Sequence, residues 1–206
     1  MCGRFVVLSD EENKEIMDII KEVERDLNGS PELEKLKTGE IFPTNIAPIL
    51  TSNGAKAMKW GFAKWDGKGV VINSRSEGLL ESKMFRKPAL ESRCLVPATH
   101  YFEWEGEGKS KIKQRIKVPG KKMMYMAGIF RREQGELHPV FSIITRDAAT
   151  QIRHIHDRMP VILDEVSAKQ WLMPGANVED VLRTAVQGVV FEPEAPTAKQ
   201  EQISFL

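Results

Sequence analysis

The apolar positions change their period once along this chain. Ile16, Ile20, Val23 and Leu27 recur at steps of three and four, behind a Ser9/Glu12 pair at capping-box spacing. The pattern predicts an amphipathic helix over residues 10–27, stopped by Asn28-Gly29. PELEKLK (31–37) reads as a second, short charged helix. From Ile41 the texture becomes that of strands. IFPTNIAPIL (41–50), AMKWGFAKW (57–65), GVVINSR (69–75), RCLVPATHYFEW (93–104), KIKQRIKV (111–118), MMYMAGIF (123–130) and HPVFSIIT (138–145) are β-rich runs parted by Gly, Asn, Asp or Lys. Behind them DAATQIRHI (147–155) reads helical, PVIL (160–163) extended, and SAKQWLM (167–173) and VEDVLRTAV (178–186) helical, before a polar tail ending ISFL. The expected class is α+β: one mostly antiparallel curved sheet, or partial β-barrel, flanked by helices. No linker divides the chain, so residues 1–206 are expected to form a single domain with the tail packed on it.

Composition narrows the picture only a little. The 206 residues are 41% hydrophobic and 29% charged with a net charge of +1, as expected of a globular protein. A nucleic-acid partner is neither indicated nor excluded, because any basic footprint has to come from arrangement. Two cysteines far apart, with no CxxC or Cys/His cluster, predict a reducing compartment and no metal site. No stretch reads as a signal peptide or a membrane span, so a cytoplasmic location is expected.

The candidate chemistry begins at residue 2. Met1 is the kind of residue an aminopeptidase removes when a small residue follows, which leaves Cys2 with an α-amine beside its thiol. Such an amine has a pKa of about 8 and a thiol of about 8.5, so both have reactive fractions near neutrality. An aldehyde condenses with the amine to a Schiff base, and the neighbouring thiol closes it to a five-membered thiazolidine. A residue at position 2 is usually uninformative, but here Gly3, Arg4 and the apolar FVVL anchor it.

Three further groups join it. Asn73, Arg75 and Glu77 alternate and so share one strand face, with Asn73 a two-way hydrogen-bonding group and Arg75 a phosphate-type fork. Taken singly, a solvated strand end accounts for them better. Glu103 stands between Phe102 and Trp104, where desolvation raises a carboxyl pKa toward that of a general acid/base, although an edge strand with an outward Glu fits equally. His154 and His156 both precede a strand, near Arg158, and the residues alone do not choose between them. The Lys/Arg alternation at Lys111, Lys113, Arg115 and Lys117 reads as a solvated hairpin face, and Cys94 as a core residue.

MCGRF at the start, WGF at 60–62, NSRSE at 73–77, RCLVPA with YFEW at 93–104 and HDRMPVIL at 156–163, in that order, resemble the SRAP family, the abasic-site processing proteins, over residues 2–171. The resemblance implies a barrel-like α+β domain with a channel for single-stranded DNA and no cofactor. It implies that Cys2 bonds covalently to the sugar aldehyde of an abasic site, with Asn73 holding the adduct and Glu103 moving protons. His156 rather than His154 would assist Schiff-base formation and ring opening. Arg4, Arg75 and Arg158 would grip flanking phosphates, and Trp60 and Pro43 would line the channel. A monomer bound to DNA at the nucleoid is the expected state. NSRSE and WGFAKW depart from the family's usual NAR and WGLIP; Ser74 is expected to point away from the site, and the second change alters the channel lip. Two other readings follow from the same residues: an autopeptidase, for which only Met1 precedes Cys2, and a non-catalytic reader of modified bases, which needs no free amine.

Overall fold

The computed structural model describes residues 2–8, 13–106, 108 and 111–194. Strand β1 (Arg4–Val7) is followed by helix α1 (Lys14–Leu27) and then by β2 (Gly39–Ile41), β3 (Ile46–Thr51), β4 (Gly54–Trp60), β5 (Phe62–Ala63), β6 (Val70–Val71) and β7 (Asn73–Arg75). Helix α2 (Arg86–Glu91) leads into β8 (Arg93–Ala98), β9 (His100–Glu105), β10 (Ile112–Lys117), β11 (Met124–Arg131) and β12 (Val140–Asp147). The chain closes with β13 (Arg158–Pro160), β14 (Ile162–Leu163), α3 (Glu165–Leu172), α4 (Val178–Arg183) and β15 (Val190–Pro193).

Among the described residues the strands gather into two curved sheets and a small hairpin of β5 with β6. One sheet runs β15-β10-β9-β1-β2. The other runs β13-β12-β4-β3-β8-β11-β14, with β7 added on β12. In this second sheet β11 also pairs with β12, so the strands bend back on themselves around the core. The mixed architecture with mostly antiparallel pairing agrees with the expected class.

Local physics explains the breaks. The run 57–65 is cut at Gly61, whose φ of +115° is open to glycine and where a Cβ would stand 2.7 Å from Val70. The run 93–104 is cut at Thr99, whose N–H and hydroxyl both bond the Val6 carbonyl, at 2.9 and 3.2 Å. The chain turns a corner there: β8, buried along its whole length, belongs to one sheet and β9 to the other. Helix α1 buries Ile16, Ile19, Ile20 and Val23 as its periodicity requires. Its Ser9/Glu12 box lies outside the described residues; Asn13 is the cap, accepting the Ile16 N–H at 3.4 Å.

Two expected helices are only single 3₁₀ turns, Pro31–Lys35 and Thr150–Ile152. The first gains a Pro start and a Ser30 cap but has one buried residue to hold it. The second has no side-chain cap and is tied into a loop by Ala148 N–H bonding Asp157 O at 2.9 Å. The C-terminal tail lies outside the described residues from position 195.

Between the sheets Phe5, Ile41, Trp60, Val96, Tyr101, Met126, Phe141 and Ile143 form the inner core. Trp60 is its centre, edge-on to Phe5 at 5.0 Å and stacked with Phe141 at 6.1 Å, its indole N–H bonded to Ile72 O. A second core lies under the helices around Trp171, whose indole N–H bridges the Cys94 and Gly128 carbonyls of neighbouring strands at 3.0 and 3.2 Å. Replacing Trp171 with Ala opens a cavity and takes the indole donor from both carbonyls. We expect a loss of about 3–5 kcal/mol, read as a lower urea midpoint at unchanged slope.

Candidate active site

Strand β1 lies between β9 and β2, with Arg4 opposite Phe102, Phe5 opposite Tyr101 and Val6 opposite His100. Antiparallel register therefore delivers Cys2 to the end of β9 that carries Glu103 and Trp104. Cys2 is fully buried. Its carbonyl accepts the Asn73 side-chain N–H at 2.9 Å, and Asn73 stands on β7, in the other sheet. One hydrogen bond thus stitches the chain start across the seam between the sheets. The other end of the Asn73 amide, Oδ1, is buried without a hydrogen-bond partner among the described residues.

The electrostatics of the seam are set by desolvation. Burial pushes the Cys2 thiol far above its usual range, and the Glu103 charge pushes the same way. Burial likewise raises the Glu103 carboxyl, so this group holds a proton more readily than an exposed glutamate does. His156 sits in the loop before β13, and burial lowers its pKa. Its Nδ1 accepts the Arg158 N–H at 2.9 Å and lies 2.7 Å from the Asp157 carboxylate. The Cys2 thiol has a long contact of 3.8 Å to Arg4 O.

Arg4 is held flat between two rings, 4.5 Å from the centroid of Phe42 and 4.9 Å from that of Trp104, and pairs with Glu40 at 3.2 Å. Arg75 is exposed, whereas the alternating Ser74 is fully buried with its hydroxyl on Ile143 O. Pro43 is half-buried in the turn Phe42–Asn45, next to Thr44 at φ +72°.

Two expected roles meet a different environment. Trp60, assigned to the channel wall, is wholly buried and has no ring face to offer a base; the exposed aromatic of that segment is Trp65, 85% accessible on the turn between β5 and β6. Nothing but the loop position distinguished Trp65 in the sequence. Arg158 is buried too, its guanidinium forked onto Glu77 at 3.1 and 2.7 Å and bonded to Asp147 at 2.5 Å and Thr145 O at 2.9 Å. It is an internal cation capped by two more exposed carboxylates rather than an open phosphate fork.

Cys94 is buried between strands, and burial raises its thiol pKa far above range. The basic stretch on β10 is largely answered by acids: Lys113 by Glu40, Arg115 by Glu192 and Glu194, Lys117 by Glu192. His154 meets Glu105 at 3.6 Å and Phe191 edge-on. Among the described residues no group of three or more His, Cys, Asp or Glu is placed to hold a metal ion, and no helix is long and apolar enough to cross a membrane.

Residues 1–196 match the family model described as SOS response associated peptidase (SRAP). The chain is 35% identical to abasic site processing protein YoqW of Bacillus subtilis, covering 91% of this chain and 87% of that protein. It is 33% identical to abasic site processing protein YobE of the same species, covering 100% and 95%. A solved structure of a Bacteroides thetaiotaomicron protein superposes with a TM-score of 0.76 at 25% identity, over 95% of this chain and 93% of that one.

The Arg158 cap gives a test of the electrostatics. Burial alone would raise the Glu77 pKa, but the Arg158 hydrogen bonds and charge, with a backbone donor, outweigh it and hold the carboxyl below its ordinary value. A depressed folded value means stabilisation that is present above the unfolded pKa of about 4.3 and is lost as the pH falls through the folded one. Glu77 is more than half exposed, so the contribution is small. Glu77→Gln should lower the unfolding free energy at neutral pH by at most about 1 kcal/mol. The gap to the parent chain should close in urea titrations taken down toward about pH 2.

Proposed function

Because the chain belongs to the SOS response associated peptidase (SRAP) family, we propose that it processes abasic sites in single-stranded DNA by bonding the ring-opened sugar aldehyde covalently to Cys2. The observation that carries this reading is the fixed, desolvated position of Cys2, its carbonyl held by Asn73 and its thiol beside the raised Glu103 carboxyl. A residue needed only as a spacer at a chain start has no use for such a frame.

With Met1 removed, the Cys2 amine attacks the aldehyde carbon. A C–N bond forms, the amine gives one proton and Glu103 a second to the carbonyl oxygen, which leaves as water, and an iminium and the Glu103 carboxylate remain. The sulfur then adds to the iminium carbon: a C–S bond forms, the C=N electron pair returns to nitrogen, and the thiol proton passes to Glu103. The raised thiol pKa means that the resting sulfur is protonated, so a nearby base is needed, and a carboxyl lifted by burial is suited to both accept and return that proton. His156, its pKa lowered by burial, serves this reading as the acid/base for ring opening at the sugar. Asn73 Oδ1, buried and without a partner among the described residues, is an acceptor for a sugar hydroxyl in this reading.

Arg4 and Arg75, which both reach solvent, are the phosphate donors of this reading. Arg158 grips a phosphate only by exchanging Glu77 or Asp147 for it. Trp65, with Lys64 and Lys68 on the same turn, offers a stacking face for a neighbouring base. The protein acts as a monomer, in the cytoplasm, wherever single-stranded DNA is exposed.

The deciding experiment mixes the protein, with loss of Met1 verified by mass, with single-stranded DNA carrying one abasic site. A DNA-sized mass shift that survives denaturation is expected, and Cys2→Ala should abolish it. Glu103→Gln should slow adduct formation by about 10²- to 10⁴-fold. No adduct from the processed wild-type chain would sink the covalent reading and favour a non-catalytic DNA reader. Trp65→Ala should cost about 1–3 kcal/mol of DNA affinity, seen as a higher DNA concentration for half-maximal adduct formation.

A further inference from the structure

Tyr101 is a residue for which the fold has no use as drawn. It is fully buried in the inner core, in the same cluster as Cys2. Its hydroxyl is buried and has no hydrogen-bond partner among the described residues. A buried donor left unpaired costs free energy, about 1–3 kcal/mol, and a phenylalanine would fill the same space without it. The position is central to the site: Tyr101 lies opposite Phe5 on β1 and two residues before Glu103 on β9, so both side chains leave the same face of the strand. The charges of Cys2 and Glu103 both act on the hydroxyl, and so does that of the half-buried Arg146, with the opposite sign.

The thiol has the complementary deficiency. Among the described residues it makes one long contact, 3.8 Å to a backbone carbonyl, in which sulfur is the donor. Once its proton has gone, sulfur needs a donor in a place where water is excluded. We infer that the Tyr101 hydroxyl is that donor: it hydrogen-bonds the Cys2 sulfur as negative charge develops there and so positions the thiolate for ring closure on the iminium. This rests on the covalent reading of the site and adds to it a positioning residue specific to the second bond-forming step. Bond changes are those already given, C–S formed and the C=N pair returned to nitrogen, with the proton on Glu103; Tyr101 keeps its own proton throughout. Neutral phenol suits the task, since burial holds its pKa well above the usual value.

Tyr101→Phe removes one oxygen and little else. With single-stranded DNA carrying an abasic site, the denaturation-stable adduct should form about tenfold more slowly. The rising limb of the pH–rate profile should move to higher pH, because the thiolate has lost a stabilising donor. The share of adduct that appears only after borohydride reduction, the open Schiff base, should grow relative to the closed ring. That ratio is measured within the adduct, so a partly unfolded sample does not move it, and the thermal midpoint should match or exceed the parent's. An unchanged rate, pH profile and Schiff-base share, beside a wild-type chain that cross-links through Cys2, overturns the assignment. A wild-type chain that forms no Cys2-dependent adduct overturns the covalent reading and this inference together, and is recognised without the variant.

Discussion

The amino terminus of this chain is the constraint on which the site depends. A chain start is ordinarily frayed, because it has neighbours on one side only and solvent on the other. Here β1 is an interior strand, paired with β9 on one flank and β2 on the other, and the Cys2 carbonyl is bonded across the seam to Asn73. The ladder fixes the direction in which the chain emerges, and Asn73 fixes where it stops. A nucleophile carried by the first residues of a chain gains from this what an interior residue gets from its backbone on both sides. The orientation is settled before any substrate arrives.

That anchoring brings desolvation with it, and desolvation sets the protonation states. The thiol is held as thiol, Glu103 is shifted toward its protonated form and His156 toward its neutral form, in each case with burial as the leading cause. This is the arrangement expected where proton transfers have to run near neutrality between groups whose ordinary pKa values are far apart. Asn73 Oδ1 and the Tyr101 hydroxyl belong to the same pattern: buried polar atoms in the seam, each without a hydrogen-bond partner among the described residues.

Much of this was legible in the order of residues, though unevenly. Hydrophobic periodicity located α1 and the β-rich stretch because burial on one face is a property of the local sequence. It did not reveal that RCLVPATHYFEW is two strands in two sheets, since the corner at Thr99 is made by its bonds to Val6, more than ninety residues away in the chain. Cys2, Asn73, Glu103 and His156 stood out by chemistry and by their resemblance to a family pattern. The burial of Trp60 and Arg158 is not legible in the sequence for one reason: residue type reports what a side chain can do, while exposure is decided by the packing of distant segments. The ring of Trp60 is spent on the core, the guanidinium of Arg158 on Glu77 and Asp147. The sequence marks Tyr101 only as an aromatic on the face of Glu103; the lack of a partner for its hydroxyl among the described residues sets it apart.

The charge distribution completes the picture. A net charge of +1 and a basic strand β10 answered by Glu40, Glu192 and Glu194 leave little long-range attraction for a polyanion. For a protein that held DNA by contacts alone, this would be a weakness. For one that captures a lesion covalently it is a source of selectivity. A strongly basic groove would be saturated by intact DNA, which outnumbers lesions, and would shield the nucleophile from its target. Under the proposed reaction, weak non-covalent binding would keep residence on undamaged strands short, and only a sugar that presents an aldehyde at Cys2 would be retained. Specificity would then reside in the reaction rather than in the grip, at the buried seam where Asn73 Oδ1 and the Tyr101 hydroxyl have no partner among the described residues.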